Sequence, residues 1–333
     1  MLCTENTADR MKQQKIVSPF VHLYEYDKSY VKQENKMMLW GSVLAISLLT
    51  SLYSLSLKSV QKHYINEKKD FFLFSVLLNL FQSIFLLLLP PFGGVHFTLD
   101  SIVYGSLSGL LVLTNYLLVI RAMSIGPLIL TTGLISLYIV VPIFYGLFFW
   151  NESLSLSSVI GLVLFFVSIF LVSNATYFEE NTVKKIEIRW LVYMLLAFAC
   201  SGATSIISKQ YAIIHLDGNK EFLLASRFSN IILSAALYLL FLSINQSSRR
   251  SQTKPGRTYL MLCAVAGATM AGANTLFMRY VNASSSSFFF PAIQASGAIM
   301  MFILSVFVFR ERLSKKALIG FAVSILAIIL LSL

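Results

Sequence analysis

Long apolar runs recur along the whole chain, and their length limits the possible folds more than any other feature of the sequence. A helix that crosses the hydrocarbon core of a bilayer needs about 20 mostly apolar residues. Ten runs of about this length leave almost no room for a soluble domain. They lie at about residues 38–60, 71–91, 100–120, 127–150, 154–174, 189–212, 222–244, 258–278, 287–309 and 315–333. The runs predict an all-α membrane protein with ten transmembrane helices.

The composition agrees with a membrane protein. Hydrophobic residues make up 57% of the chain and charged residues only 12%, whereas soluble domains carry about 25% charged residues. The runs do not alternate every second residue, as the strands of a transmembrane barrel would. We therefore expect an integral multi-pass membrane protein, in the plasma membrane, that contacts membrane lipid.

The net charge of +11 would suggest a nucleic-acid partner in a soluble protein. Here the basic residues cluster in short loops beside the apolar runs, where they contact lipid head groups and set topology. No soluble basic domain is left to bind nucleic acid. We therefore expect no nucleic-acid partner.

The segment 1–36 is polar and mixed in charge, and it lacks the basic-then-apolar layout of a signal peptide. It is interpreted as an N-terminal tail. The three cysteines, Cys3, Cys200 and Cys263, are scattered, which argues against a disulfide framework or a metal cluster. The sequence also has no phosphate-binding Gly-x-x-x-x-Gly-Lys loop and no His-Glu-x-x-His motif. These absences predict no metal, no cofactor and no catalytic residue.

The same short motif occurs twice in the chain. Residues 152–161 read "ESLSLSSVIG" and residues 311–320 read "ERLSKKALIG", with Glu, Leu, Ser, Ile and Gly at matching positions 159 residues apart. Other polar residues of the first half recur in the second half, either 159 or 151 residues later. The two distances differ by an insertion of eight residues, for which the polar loop 245–257 is a natural place. These equivalent residues are Ser54 and Ser205, Lys58 and Lys209, Asn115 and Asn274, and the triplets Ser75-Asn79-Ser83 and Ser226-Asn230-Ser234. Residues 37–174 and 188–333 are therefore predicted to be two copies of one five-helix unit.

The number of runs between the two motifs determines their relative orientation. Five runs, an odd number, separate Glu152 from Glu311, so the two units are predicted to have opposite orientations in the membrane. Inverted-topology repeats of this kind build many secondary transporters, and their substrate sites lie near the midplane between the repeats.

The chain resembles the drug/metabolite transporter superfamily, in its EamA-like branch. The duplicated Glu-x-Leu-Ser element, placed at the start of the fifth helix of each half, is typical of that branch, and the resemblance covers the chain after residue 36. It implies ten helices in two inverted halves and a carrier for small metabolites such as amino acids, nucleotide sugars or sugar phosphates. It does not name the substrate.

Two polar stripes occur at equivalent places in the first helix of each half. Ser47, Ser51, Ser54 and Lys58 follow one another at spacings of four, three and four residues, which places them on one helix face. Their counterparts are Gly202, Ser205 and Lys209. Such stripes line a cavity whose lysines meet an anionic substrate group, or they allow tight helix packing while the lysines reach head groups. Both interpretations remain open.

The second helix of each half carries a Ser-Asn-Ser stripe, with Gln82 and Arg227 beside the stripes. An ionisable residue inside a membrane helix is a functional candidate. Arg227 is a candidate to pair with a carboxylate or phosphate of a substrate, or alternatively to reach head groups at the interface.

Asn115 and Asn274 lie near the ends of the third predicted helix of each half, and Tyr116, Tyr138 and Gln294 add further polar groups. Amides in a membrane need partners, supplied by a substrate or by a neighbouring helix. Gly105-x-x-x-Gly109 predicts a close helix contact. The candidate substrate-binding residues are Ser54, Lys58, Asn79, Asn115, Tyr116, Tyr138, Ser205, Lys209, Arg227, Asn230, Asn274 and Gln294.

The glutamates of the duplicated motif precede the last helix of each half. A carboxylate there complements the positive end of the helix dipole, and a serine three residues later helps to fix the turn. We therefore expect a structural helix-start role, rather than substrate or proton binding, for Glu152 with Ser155 and for Glu311 with Ser314.

Together these features predict a secondary carrier that moves a small polar or charged metabolite by alternating access, as a monomer or homodimer. The alternatives are a non-transporting scaffold, a lipid scramblase and, with less support, a membrane-embedded enzyme. A scramblase would present a polar groove to lipid, whereas a carrier would bury its polar stripes between the two halves.

Overall fold

A computed structural model describes residues 34–64, 68–89, 95–125, 137–176, 188–215, 219–244, 256–309 and 315–332. Within these ranges the chain forms α-helices and one short 3-10 helix, and no β-strand. The chain divides into two compact units, Met1–Gly41 and Ser42–Leu333. The packing and the sites described below belong to the second unit.

Ten α-helices follow one another along the described parts of the chain. They are α1 (Glu34–Tyr64), α2 (Lys68–Leu88), α3 (Leu99–Ile125), α4 (Val140–Phe149), α5 (Leu156–Thr176), α6 (Ile188–Ile214), α7 (Asn219–Ile244), α8 (Arg257–Tyr280), α9 (Ser286–Phe309) and α10 (Lys315–Ser332), and the 3-10 helix Leu137–Ile139 precedes α4. Nine of the predicted runs overlap one of these helices over most of their length. Of the fourth run, 127–150, residues 137–149 are helical, and residues 127–136 lie outside the described residues.

Six of the described helices, α1 to α3 and α6 to α8, contain stretches long and apolar enough to cross a bilayer. Two shorter apolar helical stretches, Val140–Phe149 and Leu156–Ser168, lie in α4 and α5. The outward faces carry exposed large apolar side chains, among them Ile102, Leu107, Leu195, Ile232 and Leu239. Soluble monomers rarely expose apolar surface on this scale, so the chain is an integral, multi-pass membrane protein.

Helices α3 and α7 are in close backbone contact at the two glycines of the Gly-x-x-x-Gly motif. A Cβ atom on Gly105 would lie 2.7 Å from the carbonyl oxygen of Phe222, and one on Gly109 would lie 2.5 Å from that of Ser226. Glycine is needed at both positions because any side chain would push α7 away. This is the close contact that the spacing predicts.

The helices are packed in a pattern that brings distant parts of the chain together. Helix α2 packs on α7 and α8, α3 packs on α6 and α7, and α5 packs on α10. Ser75 of α2 meets Ser234 of α7, and Asn79 meets Arg227, so these two helices run antiparallel.

Several helices share one end of the bundle, which we call the Asp100 end. There Asp100, near the start of α3, lies 3.1 Å from the ring of His215, just after α6. Lys220, near the start of α7, donates a hydrogen bond of 3.0 Å to the carbonyl of Leu89, just after α2. The ends of α2 and α6 and the starts of α3 and α7 therefore lie at the same level.

One predicted boundary is wrong. The third run was expected to end near residue 120, but α3 continues to Ile125. The exposed Arg121 is accommodated within the helix and does not end it, because a long cationic side chain can extend outward from an apolar helix. Asn115 therefore lies ten residues before the end of α3 rather than one or two turns from it.

Candidate functional site

The buried polar groups of the bundle form two clusters, each built around one cation. The Arg227 cluster comprises Arg227, Ser226, Asn79 and Gln82, contributed by α7 and α2. The Lys209 cluster comprises Lys209, Glu152, Ser286 and the carbonyl of Ser284, contributed by α6, the α4–α5 connection and the start of α9.

In the Arg227 cluster the guanidinium is held by neutral oxygens. Nη1 donates to Oε1 of Gln82 at 3.1 Å and to Oδ1 of Asn79 at 3.5 Å, and Nη2 donates to Oγ of Ser226 at 3.0 Å. Arg227 is only 9% exposed. Among the residues that the structure describes, no carboxylate forms an ion pair with Arg227, and its Nε atom has no hydrogen-bond partner.

Two tyrosines from other helices adjoin this cluster. The hydroxyl oxygens of Tyr53, on α1, and Tyr116, on α3, lie 3.4 Å apart, and both are within electrostatic range of the guanidinium. The structure therefore gathers the predicted residues Asn79, Tyr116 and Arg227. It adds Tyr53, which sequence reasoning missed because a tyrosine in an apolar run resembles an ordinary packing residue.

The two Ser-Asn-Ser stripes face each other in the interface between α2 and α7. Oγ of Ser75 lies 2.9 Å from Oγ of Ser234, and Nδ2 of Asn79 donates to the carbonyl of Ser75 at 2.7 Å. All members of both stripes are buried: Ser75, Asn79, Ser83, Ser226, Asn230 and Ser234. The stripes are thus directed into the bundle and away from lipid.

Three predicted asparagines carry buried atoms that lack a partner. Within the described part of the chain, no hydrogen bond reaches Oδ1 of Asn115, Nδ2 of Asn230 or Nδ2 of Asn274. Leaving such an atom unpaired destabilises a protein by about 1–3 kcal/mol. These amides are therefore available to a ligand or to water.

A third, smaller contact joins two more predicted residues. Nε2 of Gln294, on α9, donates to the hydroxyl of Tyr138 at 3.0 Å, which ties the 3-10 helix before α4 to α9. The hydroxyl of Ser205, on α6, donates to the carbonyl of Ser201 in its own helix at 3.1 Å. Ser54 joins neither cluster, because its hydroxyl donates to the carbonyl of Thr50 in its own helix.

In the Lys209 cluster the charge is fully paired. Nζ of Lys209 lies 2.5 Å from Oε1 of Glu152, 2.8 Å from Oγ of Ser286 and 3.2 Å from the carbonyl of Ser284. It also lies 4.8 Å from the centre of a Trp150 ring. Lys209 is completely buried, so the ammonium has exchanged water for a carboxylate, two oxygens and an aromatic face.

The backbone around Glu152 is shaped to bring its carboxylate into this cluster. Asn151 adopts a left-handed conformation with φ of 50°, and the amide of Glu152 donates to the carbonyl of Gly146 at 3.0 Å. Oε2 of Glu152 accepts a 2.7 Å hydrogen bond from the amide of Ser286. A Cβ on Gly146 would lie 2.6 Å from Oε2, so the glycine leaves room for the carboxylate.

These contacts differ from the sequence expectations for both residues. For Lys209 the sequence left a substrate anion and lipid head groups open as partners, and the structure pairs it with Glu152. Glu152 was expected to stabilise the start of α5, and instead its carboxylate contacts α6 and α9. Ser155 stabilises the start of α5, because its Oγ accepts a hydrogen bond from the amide of Ser158 at 3.1 Å.

The Lys209 cluster could not be found from local motifs, because 57 residues separate its two charges. The sequence nevertheless indicated that these residues are paired, because a charged residue at the edge of an apolar run needs a partner. The remaining predicted residues, Glu311, Ser314 and the side chain of Lys58, lie outside what the structure describes.

Comparisons with known proteins agree with the resemblance found in the sequence. Residues 188–333 match the model of the EamA-like transporter family. Comparison with curated protein sequences finds no significant match. Among 28 matching chains of solved structures, one described only as the crystal structure of a protein has a TM-score of 0.66 and 14% identity, and the match covers 87% of this chain and 95% of the other. That likeness shows a shared fold.

Proposed function

We propose that this chain, whose residues 188–333 match the EamA-like transporter family, is a secondary carrier for a small polar or charged metabolite. The observation that carries this proposal is the burial of the two Ser-Asn-Ser stripes against each other, between α2 and α7. A lipid scramblase needs a polar groove open to lipid. Here the polar side chains are directed inward, as a site for a water-soluble substrate requires.

The helix packing supports an arrangement of ten transmembrane helices as two inverted five-helix repeats, residues 37–174 and 188–333. An approximate two-fold axis relates helix contacts in matched sets. The contact of α3 with α6 has no counterpart of similar extent between α1 and α8 among the described contacts, whereas other contacts are matched. Helices α2 and α7 are the second of each repeat, α5 and α10 are the fifth, and both pairs are in contact. The contact of α3 with α7 likewise has its counterpart in the contact of α8 with α2.

The direction of the helices supports the inversion. Helix α2 ends at the Asp100 end, and α7, its predicted equivalent, begins there. Equivalent helices that run antiparallel are what an axis in the membrane plane generates.

The position of Arg227 supports alternating access. It is the ninth residue of the 26-residue helix α7, which places it about 12 Å from the helix start at a rise of 1.5 Å per residue. A site at this depth, bounded by helices from both repeats, is reached from either side by rocking one repeat against the other.

In this proposal the protein works in the plasma membrane as a monomer or homodimer, without enzymatic activity, metal or cofactor. Among the candidate residues that the structure describes, the carboxylate of Glu152 is engaged by Lys209. Movement is therefore driven by the substrate gradient or by exchange for a second metabolite.

Reconstitution tests the carrier proposal directly. Purified full-length protein in liposomes preloaded with unlabelled metabolites should take up at least one of a panel of labelled amino acids, sugars, nucleotides and organic acids, above protein-free liposomes. A parallel assay with fluorescent lipid and a membrane-impermeant quencher measures scrambling. Lipid scrambling without uptake of any metabolite would reject the carrier in favour of the scramblase.

A further inference from the structure

We propose that the Arg227 cluster binds the anionic group, a carboxylate or a phosphate, of the transported metabolite. This inference rests on the proposed carrier function and names its substrate class. It starts from the contrast between Lys209 and Arg227, the two cations that are buried among the residues the structure describes.

The first step concerns charge. Removing an unpaired ion from water is strongly unfavourable, and buried charges in proteins are therefore paired with an opposite charge. Lys209 obeys this rule through Glu152. Arg227 is equally enclosed, yet its described partners, Asn79, Gln82 and Ser226, are all neutral. The counter-charge that Arg227 lacks within the described chain is the one an anionic ligand brings.

The second step concerns hydrogen bonding. A guanidinium offers five N–H donors in a planar fork that matches a carboxylate or phosphate. Nε of Arg227 is unused, and so is Nδ2 of Asn230. Asn230 is three residues further along α7, which places both side chains on neighbouring parts of one helix face. Two unused donors beside a buried cation suit an acceptor with several oxygens.

The third step concerns the surroundings. The amide oxygens of Asn79 and Gln82 both accept from Nη1 of the guanidinium, and Oγ of Ser226 accepts from Nη2, so these residues act as positioning residues. The hydroxyls of Tyr53 and Tyr116 are 3.4 Å apart and within electrostatic range of the guanidinium, and in this proposal they supply donors for a second polar group of the same substrate. No described carboxylate competes for Arg227.

A matched pair of probes tests the charge requirement. The full-length protein is placed in nanodiscs of phosphatidylcholine alone, and its melting temperature is measured with lactate against lactamide, succinate against succinamide, and glycerol phosphate against glycerol. We expect an anionic member of at least one pair to raise the melting temperature while its neutral partner does not. Equal shifts from both members of every pair, or no shift from any anion, would overturn the inference.

Substitutions of Arg227 test its role in anion binding. Arg227→Gln should abolish the shift caused by the anion, and Arg227→Lys, which keeps the charge and loses the fork, should weaken binding at least 10-fold. Arg279→Gln is the matched control, because Arg279 is exposed at the end of α8 and its loss should leave the shift intact. If Arg227→Gln does not fold, the Lys variant decides the question. Unchanged anion binding in either variant would refute the role of Arg227.

Two further experiments complete the test. The first distinguishes a lipid phosphate from a metabolite as the source of the anion, and the second distinguishes failure of the anion site from failure of the carrier proposal. Addition of phosphatidylglycerol to the discs, with no soluble anion, asks whether a lipid phosphate occupies the cluster. Stabilisation by the lipid alone, lost in Arg227→Gln, would assign the site to lipid and overturn the metabolite proposal. Uptake of only neutral metabolites into liposomes, unaffected by Arg227→Gln, would reject the anion site and leave the carrier function standing.

Discussion

At the scale of single residues, the two buried cations have opposite relations to their surroundings. Lys209 is neutralised by the protein itself, through Glu152 and Ser286. Arg227 is oriented by amide and hydroxyl oxygens and keeps its net charge. The first arrangement is complete without a ligand, whereas in our proposal the second is completed by an anion.

Breaking the Lys209–Glu152 pair should be strongly destabilising. Removal of one partner of a buried ion pair costs about 3–5 kcal/mol, because the other charge is left uncompensated. We expect Glu152→Gln and Lys209→Met each to lower the melting temperature clearly, and the double variant to recover most of the loss. Melting curves of the purified proteins in one detergent measure this cycle. Additive losses in the double variant would mean that the two residues contribute independently.

Removal of an unpaired amide should have the opposite effect on stability. Nδ2 of Asn274 is buried and has no partner within the described residues. Such a buried, unsatisfied donor destabilises the folded protein by about 1–3 kcal/mol, and Asn274→Ala removes it. We expect an unchanged or higher melting temperature together with reduced transport. Asn282→Ala is the control, because Nδ2 of Asn282 donates to the carbonyl of Ala212 at 2.9 Å and its loss should lower the melting temperature. A destabilised Asn274→Ala protein would show that this amide serves packing.

Residue-scale prediction from the sequence singled out polar side chains that interrupt an apolar run, and their contact with a substrate stays a prediction. Arg227, Asn79, Asn230 and Asn274 stand out for that reason, and the structure buries all or part of each side chain. It failed for Glu152, because a carboxylate just before a helix has an adequate local explanation in the helix dipole. Only the fold brings the start of α9 and the end of α6 to it.

At the scale of helices, the apolar runs predicted the elements well because run length in a membrane is set by the bilayer. Boundaries were less certain, as α3 shows. Contacts between helices depend on small residues, and here the sequence offered one clear motif. Gly105 and Gly109 place the backbone of α3 against the part of α7 that carries Ser226 and Arg227.

A methyl group at this contact should separate the two helices. Gly109→Ala puts a Cβ 2.5 Å from the carbonyl oxygen of Ser226, next to Arg227, and overpacking of this kind typically destabilises by about 1–3 kcal/mol. We expect a lower melting temperature and weaker anion binding. Gly297→Ala in α9 is the control, since nothing lies within 4 Å of the added Cβ and alanine favours a helix by about 1 kcal/mol over glycine. Equal melting temperatures for the two variants would argue against a tight α3–α7 contact.

At the scale of the whole molecule, a duplicated motif and an odd number of runs predicted two units of opposite orientation. The matched contacts of α2 with α7 and of α5 with α10 are what such units would form. The sequence could not show which faces meet, because a polar stripe on a single helix suits packing and a cavity equally well. The antiparallel pairing of Ser75 with Ser234 supplies that information.

Alternating access requires the α2–α7 interface to change during transport, and a cross-link there should stop it. The serine hydroxyls of Ser75 and Ser234 lie 2.9 Å apart, so cysteines at both positions, with Cys3, Cys200 and Cys263 replaced by alanine, should form a disulfide under mild oxidation. We expect oxidation to abolish metabolite exchange in liposomes and reduction to restore it. The pair Ser75→Cys with Ser243→Cys is the control, because the exposed residue 243 lies about 14 Å along α7 from residue 234 at 1.5 Å per residue. Full transport by the completely cross-linked protein would show that α2 and α7 move as one body, and the moving interface would then have to lie elsewhere between the repeats.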